Sequence, residues 1–411
     1  MKNGWTGGQY SLLRALFGVY LLIHFAMLIP YGAELFSNRG VLPDRAASPL
    51  MRLFPNVLSL SDSPAVVTSL LILGTLASIA LTIGFRDRIA ALILWYILAC
   101  LFGRNPLIGN PSLPFVGWMM LLHAALPRAP YGSWDARGRV DPRGGWSFPP
   151  PLFLAAWIVT AIGYSYSGWT KLVSPSWVDG TAIAHVLSNP LARPTFLRHA
   201  LLDLPSSILA AMTWATLALE LLFAPLALFR RIRPIIWTLT LLLHAGLLVL
   251  IDFADLSFGM IVVQFFTFDP KWIPRLAPET VDDVFYDGTC GLCHRAIRFM
   301  ISEDTAGTSF RYAPLGGDAY AALIGNVPGL PDSMVVRTSD GTLLLKSDAA
   351  LHVGKRLGGI WRVLATIGGV VPRSLRNVVY DFIARIRYRL FTRPKEACPM
   401  LPPDLRKRFS A

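Results

Sequence analysis

Apolar runs approaching the thickness of a bilayer core recur through the first two thirds of the chain. They lie near residues 10–30, 65–84, 89–103, 113–127, 152–170, 206–229, 234–251 and 256–269. A helix needs about 20 apolar residues to cross a hydrocarbon core about 30 Å thick. In lipid every backbone polar group must be satisfied internally, so runs of this kind admit a helical bundle and little else. The third, fourth and last runs are short, and one of them is a candidate re-entrant segment. Of 411 residues only 15% are charged, against about a quarter in a soluble domain. That deficit ends near Val281, and the remainder reads as a soluble domain.

The net charge of +13 raises the question of nucleic acid. The arginines sit instead in short loops between apolar runs and on one C-terminal helix, the membrane-protein use of basic charge, so no nucleic-acid partner is expected. The loops "RDR" (86–88), Arg128 to Trp146 and "RRIR" (230–233) are short and basic. The opposite loops, Tyr31–Pro64 and Lys171–Pro205, are long and nearly neutral, and "DFAD" (252–255) is acidic. The positive-inside rule then places both termini in the cytoplasm, for a multi-pass protein of the bacterial inner membrane in contact with lipid. The N-terminus lacks a small-residue cleavage site and reads as a retained first span.

From Val281 the patterns change. "VDDVFYD" predicts a strand, "CHRAIRFMIS" a helix, "TSFRYAPL" a strand, residues 317–325 a short helix, "SMVVRT" and "TLLLKS" two strands across "SDG", and "SDAALHVGKRL" a helix. The order β-α-β-α-β-β-α is the thioredoxin-like arrangement. It puts Cys290 and Cys293 where the first strand meets the first helix. A cysteine at a helix N-terminus is stabilised as thiolate by the unpaired N–H groups and the dipole. Cys290 is therefore the expected nucleophile and Cys293, one turn on, the resolving thiol. Asp287 is a strand-end cap or a proton acceptor for Cys293.

A zinc site would need two more ligands, and Cys398, His294 and His352 lack matching spacing, so no metal is expected. "CGLCH" also spells the haem attachment pattern, but a strand precedes it and no haem-sized helical domain follows. Cys100 lies in an apolar run and reads as a core residue, Cys398 as a third, structural thiol, and Pro331 as a candidate groove proline. The helix at 373–391 sets apolar positions on one face with arginines around them, and is expected near the anionic leaflet. Glu220 and His244 fall at equal depth in a predicted hairpin and are expected to face each other.

Residues 282–411 resemble the DCC family of thiol-disulfide oxidoreductases. The motif Asp-x-x-Cys-x-x-Cys stands here as Asp287, Cys290 and Cys293, followed by "FRYAPL", "KSDAAL", "ARIRYRLF" and "CPMLPPDLRKRF". The resemblance implies a thioredoxin-like fold and two redox-active cysteines. The stretch "YSYSGWTKLVSPSWVDGTA", with "LLRALFGVYLLIHF", "RNPLIGN", "LELLFAPL" and "LLLHAGLLVL", resembles the HTTM domain, which is similar to the membrane region of vitamin K-dependent gamma-carboxylases. That resemblance carries over Lys171 alone, as a candidate base.

The expected architecture is a multi-span α-helical membrane bundle of about eight helices over residues 1–272, a linker at 273–281, and an α/β thioredoxin-like redox domain over 282–411. The expected function is membrane-bound thiol-disulfide exchange with a protein thiol or disulfide partner. The bundle would take a quinone, a lipid or a peptide, with a quinone the candidate cofactor. The alternatives are a carboxylase-like enzyme using Lys171 as base, with the redox tail as accessory, and a redox-sensing membrane scaffold.

Overall fold

The computed structural model describes residues 3–325, 327, 330, 334–391 and 401–410, so Pro331 and Cys398 lie outside the described residues. Each apolar run forms a helix: α1 (Gly7–Leu28), α2 (Pro64–Ile83), α3 (Asp87–Arg104), α4 (Leu113–Ala125), α5 (Pro150–Lys171), α6 (Ser206–Leu221), α7 (Arg233–Leu250) and α8 (Ala254–Phe265). Local signals set their ends. Ser63 Oγ accepts the Val66 N–H and Pro64 opens the first turn of α2, while Gly84 at φ 74° closes it in the left-handed region.

Length and composition qualify three of these helices to cross a membrane: α1 continued to Phe36, α2, and α7. A fourth span arises if the short helix Phe196–Leu202 and α6, bent by 108°, count as one. The eight expected spans thus reduce to three or four by this test, for simple reasons. With 13 and 12 residues, α4 and α8 reach only about 20 Å and 18 Å at about 1.5 Å per residue. Asp87, Arg88 and Arg104 occupy α3, and Thr160, Ser165, Ser167 and Thr170 make α5 hydroxyl-rich.

The chain packs as two compact units. One contains Leu13–Leu126 and Pro149–Phe268; the other gathers Asn3–Leu12, Pro127–Phe148 and the chain from Asp269 onward. In the second unit the elements follow the expected order: β1 (Asp282–Tyr286), α9 (Gly291–Glu303), β2 (Phe310–Pro314), α10 (Asp318–Ile324), β3 (Val335–Arg337), β4 (Leu343–Leu345) and α11 (Lys346–Leu357). Two further helices, α12 (Gly359–Val370) and α13 (Arg373–Leu390), follow. The small mixed sheet has the order β2-β1-β3-β4. Strand β1 runs parallel to β2, with Val284 opposite Tyr312, and antiparallel to β3, with Val284 opposite Val336.

Period-two alternation divides the sheet into two buried faces. Val284, Tyr286, Phe310, Tyr312 and Val336 pack with Ile297, Ile301, Val353 and Leu357 on one side. Phe285, Ala313 and Val335 meet Tyr320 and Ile324 on the other. The end of the chain completes the first face: Leu401 and Leu405 join that core, and Arg408 pairs with buried Asp304 at 2.6 Å.

Glu303, at the end of α9, is a buried hub. Its carboxylate accepts from Gly8 N–H at 2.9 Å, Trp361 Nε1–H at 2.6 Å and the Thr6 hydroxyl, tying α9 to the N-terminal segment and α12. Burial pushes this carboxyl up, and the hydrogen bonds from Thr6, Trp361 and Gly8 only partly offset it. The folded state then binds more protons than the unfolded chain above the ordinary value of 4.5, so stability falls as pH rises from there. Glu303→Gln removes that titration. In thermal unfolding of the solubilised protein, the wild-type midpoint should fall relative to the variant's as pH rises through this window, and parallel curves would refute the assignment.

Candidate functional site

The dithiol is built by a strand, a turn and a helix in immediate succession. After β1, Asp287 Oδ1 accepts both the backbone N–H and the hydroxyl of Thr289 at 2.8 Å, which folds the chain back toward α9. Cys290 is the N-cap of α9, and its Sγ accepts the N–H of Cys293 at 3.4 Å. His294 donates from Nε2 to the Gly288 carbonyl at 3.0 Å, since a carbonyl only accepts, and this pins the turn from inside the helix.

Helix α13 supplies what lies above the turn. Arg387 pairs with Asp287 Oδ2 at 3.1 Å and the Tyr388 hydroxyl donates to the same oxygen. Burial alone would push the Asp287 carboxyl up, but the bonds from Tyr388 and Thr289 and the Arg387 guanidinium outweigh it and hold the group below the ordinary carboxylate range. With both oxygens engaged, Asp287 serves here as turn cap and as seat for Arg387.

The two thiols differ in exposure. Cys290 is fully buried, whereas Cys293 is partly exposed and lines an apolar cavity of about 230 Å³ with Leu292, Ala296, Met334, Tyr380 and Ile383. Burial and the neighbouring Cys290 sulfur push the Cys293 thiol up to about 12, so it keeps its proton at neutral pH. Cys100 is buried in α3, as expected of a core residue.

Lys171 ends α5 in the other unit. Gly168 lets α5 approach the backbone of α6: a Cβ there would stand 2.6 Å from the Leu221 nitrogen. The close approach brings Lys171 Nζ to Glu220 Oε2 at 2.5 Å, and Nζ also donates to Ser167 Oγ, one turn earlier in α5, at 2.8 Å. These groups line a cavity of about 250 Å³ with Thr160, Tyr164 and His244. Tyr164 bonds to His244 Nε2 at 2.9 Å, while the buried His244 Nδ1 and Thr160 Oγ1 have no hydrogen-bond partner among the described residues.

Glu220 and His244 thus border one cavity, but each is bonded to a different group, Lys171 and Tyr164. Elsewhere in that unit Arg104 pairs with Asp62 at 3.1 Å, and Asn110 bonds to Asp255, which also holds His24. Tyr164 and Thr160 carry no signal in the sequence beyond their place in a hydroxyl-rich helix. Arg387 and Tyr388 do, because they lie within "ARIRYRLF", a motif noted without a role.

Comparison with known proteins falls on the same unit. Residues 284–393 match the family described as DCC1-like thiol-disulfide oxidoreductase. The chain is 36% identical over 130 residues to the uncharacterized protein YuxK of Bacillus subtilis (strain 168), covering 31% of this chain and 91% of the relative. It is 28% identical over 119 residues to a chloroplastic DCC family protein of Arabidopsis thaliana, 28% of this chain and 68% of that one. No solved structure matches.

Proposed function

Through its C-terminal third the chain belongs to the DCC1-like thiol-disulfide oxidoreductases, and on that premise we propose that it exchanges disulfides with a protein partner at a membrane, with Cys290 as nucleophile and Cys293 as resolving thiol. The observation that carries this reading is the Cys290 sulfur capping α9 with a protonated Cys293 one turn inside. The order and pairing of the strands support a thioredoxin-like unit around it.

In the exchange, Cys290 thiolate attacks one sulfur of a substrate disulfide, forms a mixed disulfide, and expels the other sulfur as a thiolate that takes a proton from solvent. Cys293 then gives up its proton, attacks the Cys290 sulfur, and releases the second substrate thiol. Two electrons pass to the substrate and a Cys290–Cys293 disulfide remains; the reverse sequence oxidises a dithiol. Arg387, beside both sulfurs, stabilises the anionic stages, and Asp287 positions Arg387. The basic short loops support insertion in a bacterial inner membrane with the redox unit in the cytoplasm, and the helical unit is read as an HTTM-type bundle.

A second reading is a membrane-embedded modifying enzyme using Lys171 as base, with the redox unit as accessory. The cavity holding Lys171, Glu220 and two buried polar atoms with no hydrogen-bond partner among the described residues favours it, and that cavity is where a quinone or lipid headgroup would enter. Lys171→Ala separates the two. Exchange with glutathione disulfide, followed by thiol titration of the purified protein, should proceed at the wild-type rate in this variant. A collapse of exchange with the fold intact would mean that the dithiol does not act on its own.

A further inference from the structure

Helix α13 turns its polar side chains inward. Arg376 pairs with Asp348 at 3.0 Å, Asp381 with Lys346 at 2.8 Å, Arg387 with Asp287 at 3.1 Å, and Asn377 bonds to the Ser347 hydroxyl. Its apolar side chains face outward: Leu375, Val378, Val379, Phe382 and Leu390 are each more than half exposed. At 100° per residue they cover an arc of about 120°, wide enough to bury a helix face. Arg385 stands just outside one edge of that arc and Arg389 just inside the same edge, and among the described residues neither makes an ion pair. Asp381, the sole acid of α13, is already paired. The preceding α12 adds outward Ile367 and Val370, the latter 83% exposed.

A soluble helix hides its apolar stripe and wets its charges. An exposed apolar arc edged on one side by two arginines with no ion pair among the described residues, the one neighbouring acid being held by Lys346, suits a surface that is apolar below and anionic above, which is the boundary of an anionic lipid leaflet. A protein partner of mixed charge would not account for two unpaired arginines on this edge against one acid that is already paired. We infer that the outer face of α12 and α13 lies on an anionic bilayer surface, with the apolar residues among the acyl–headgroup boundary and Arg385 and Arg389 on lipid phosphates. The inference rests on reading the chain as a membrane protein. Helices of the same chain would then hold this face beside the bilayer, where high effective concentration fills even a weak surface site. Because α13 also bears Arg387, docking would keep the dithiol about one helix diameter, some 10 Å, from the leaflet and within reach of membrane-attached disulfides.

The test places the photo-crosslinking residue benzoylphenylalanine at Val378 of the full chain, reconstituted in phosphatidylglycerol or phosphatidylcholine nanodiscs. Probes at Leu76 of α2 and at exposed Asp340 serve as controls. The expected result is a lipid adduct at Val378, several-fold stronger in phosphatidylglycerol. Arg385→Gln with Arg389→Gln should reduce it roughly 25-fold, since each basic residue near such a surface contributes roughly fivefold in affinity. A lipid adduct at Leu76 with no more at Val378 than at Asp340 would overturn the docking. So would adducts from Val378 to protein, or equal yields in the two lipids. No adduct at Leu76 would instead overturn the membrane reading, and this inference with it.

Discussion

Cys290→Ser is expected to reduce disulfide exchange to the uncatalysed background, because a hydroxyl neither attacks a disulfide nor leaves from one at neutral pH. Cys293→Ser should behave differently. The first attack still occurs, but nothing closes the ring, so the variant accumulates mixed disulfides with its partner. On non-reducing gels of membranes, adducts should build up in Cys293→Ser and be nearly absent in Cys290→Ser. The two thiols should also separate by pH. With Cys293 pushed up to about 12 by burial and by the Cys290 sulfur, its alkylation should stay slow through neutral pH and rise only in strong alkali. Adducts formed equally by both variants, or Cys293 alkylated as an ordinary thiol near pH 8.5, would reverse the assignment.

Arg387→Ala should give the largest loss of stability among substitutions at the site, about 2–4 kcal/mol, because it leaves the Asp287 carboxylate enclosed without its ion-pair partner. The exposed neighbour Arg385→Ala should change stability by no more than about 0.5 kcal/mol. The pH dependence follows from the depressed Asp287 carboxyl. Its contribution is present above the ordinary carboxylate value of 3.8 and is lost as pH falls through the lower folded value. Without Arg387 that acid-side loss should shrink. The same variant should expose Cys290, whose alkylation by a neutral maleimide should quicken in the folded protein. Unfolding midpoints matching the wild type across pH, or an unchanged Cys290 rate, would show that α13 does not hold the dithiol closed.

Much of the dithiol site was legible because it is local. Strand, turn and helix occupy Asp282 to Glu303, and period-two alternation followed by a capping position identifies that junction without reference to the rest of the chain. The apolar runs were legible as helices for the same reason, and Pro64 with Gly84 marks the ends of α2. How many of them cross a bilayer was less so, since 12 or 13 apolar residues look like part of a span until their length as a formed helix is counted.

What the sequence determined alone was therefore chemistry of short reach: an apolar helical half, a β-α-β-α-β-β-α tail, and a thiol pair at a helix start. Only the tertiary structure decided which groups meet over long separations. Arg387 reaches Asp287 across 100 residues, and Lys171 reaches Glu220 across 49. It also decided which thiol is enclosed, and that α13 turns its apolar stripe outward. Propensity and periodicity specify that a helix forms and which residues share its face. The rotation of that helix about its axis is set by the sum of many weak contacts with distant elements, and no stretch of a few residues contains them.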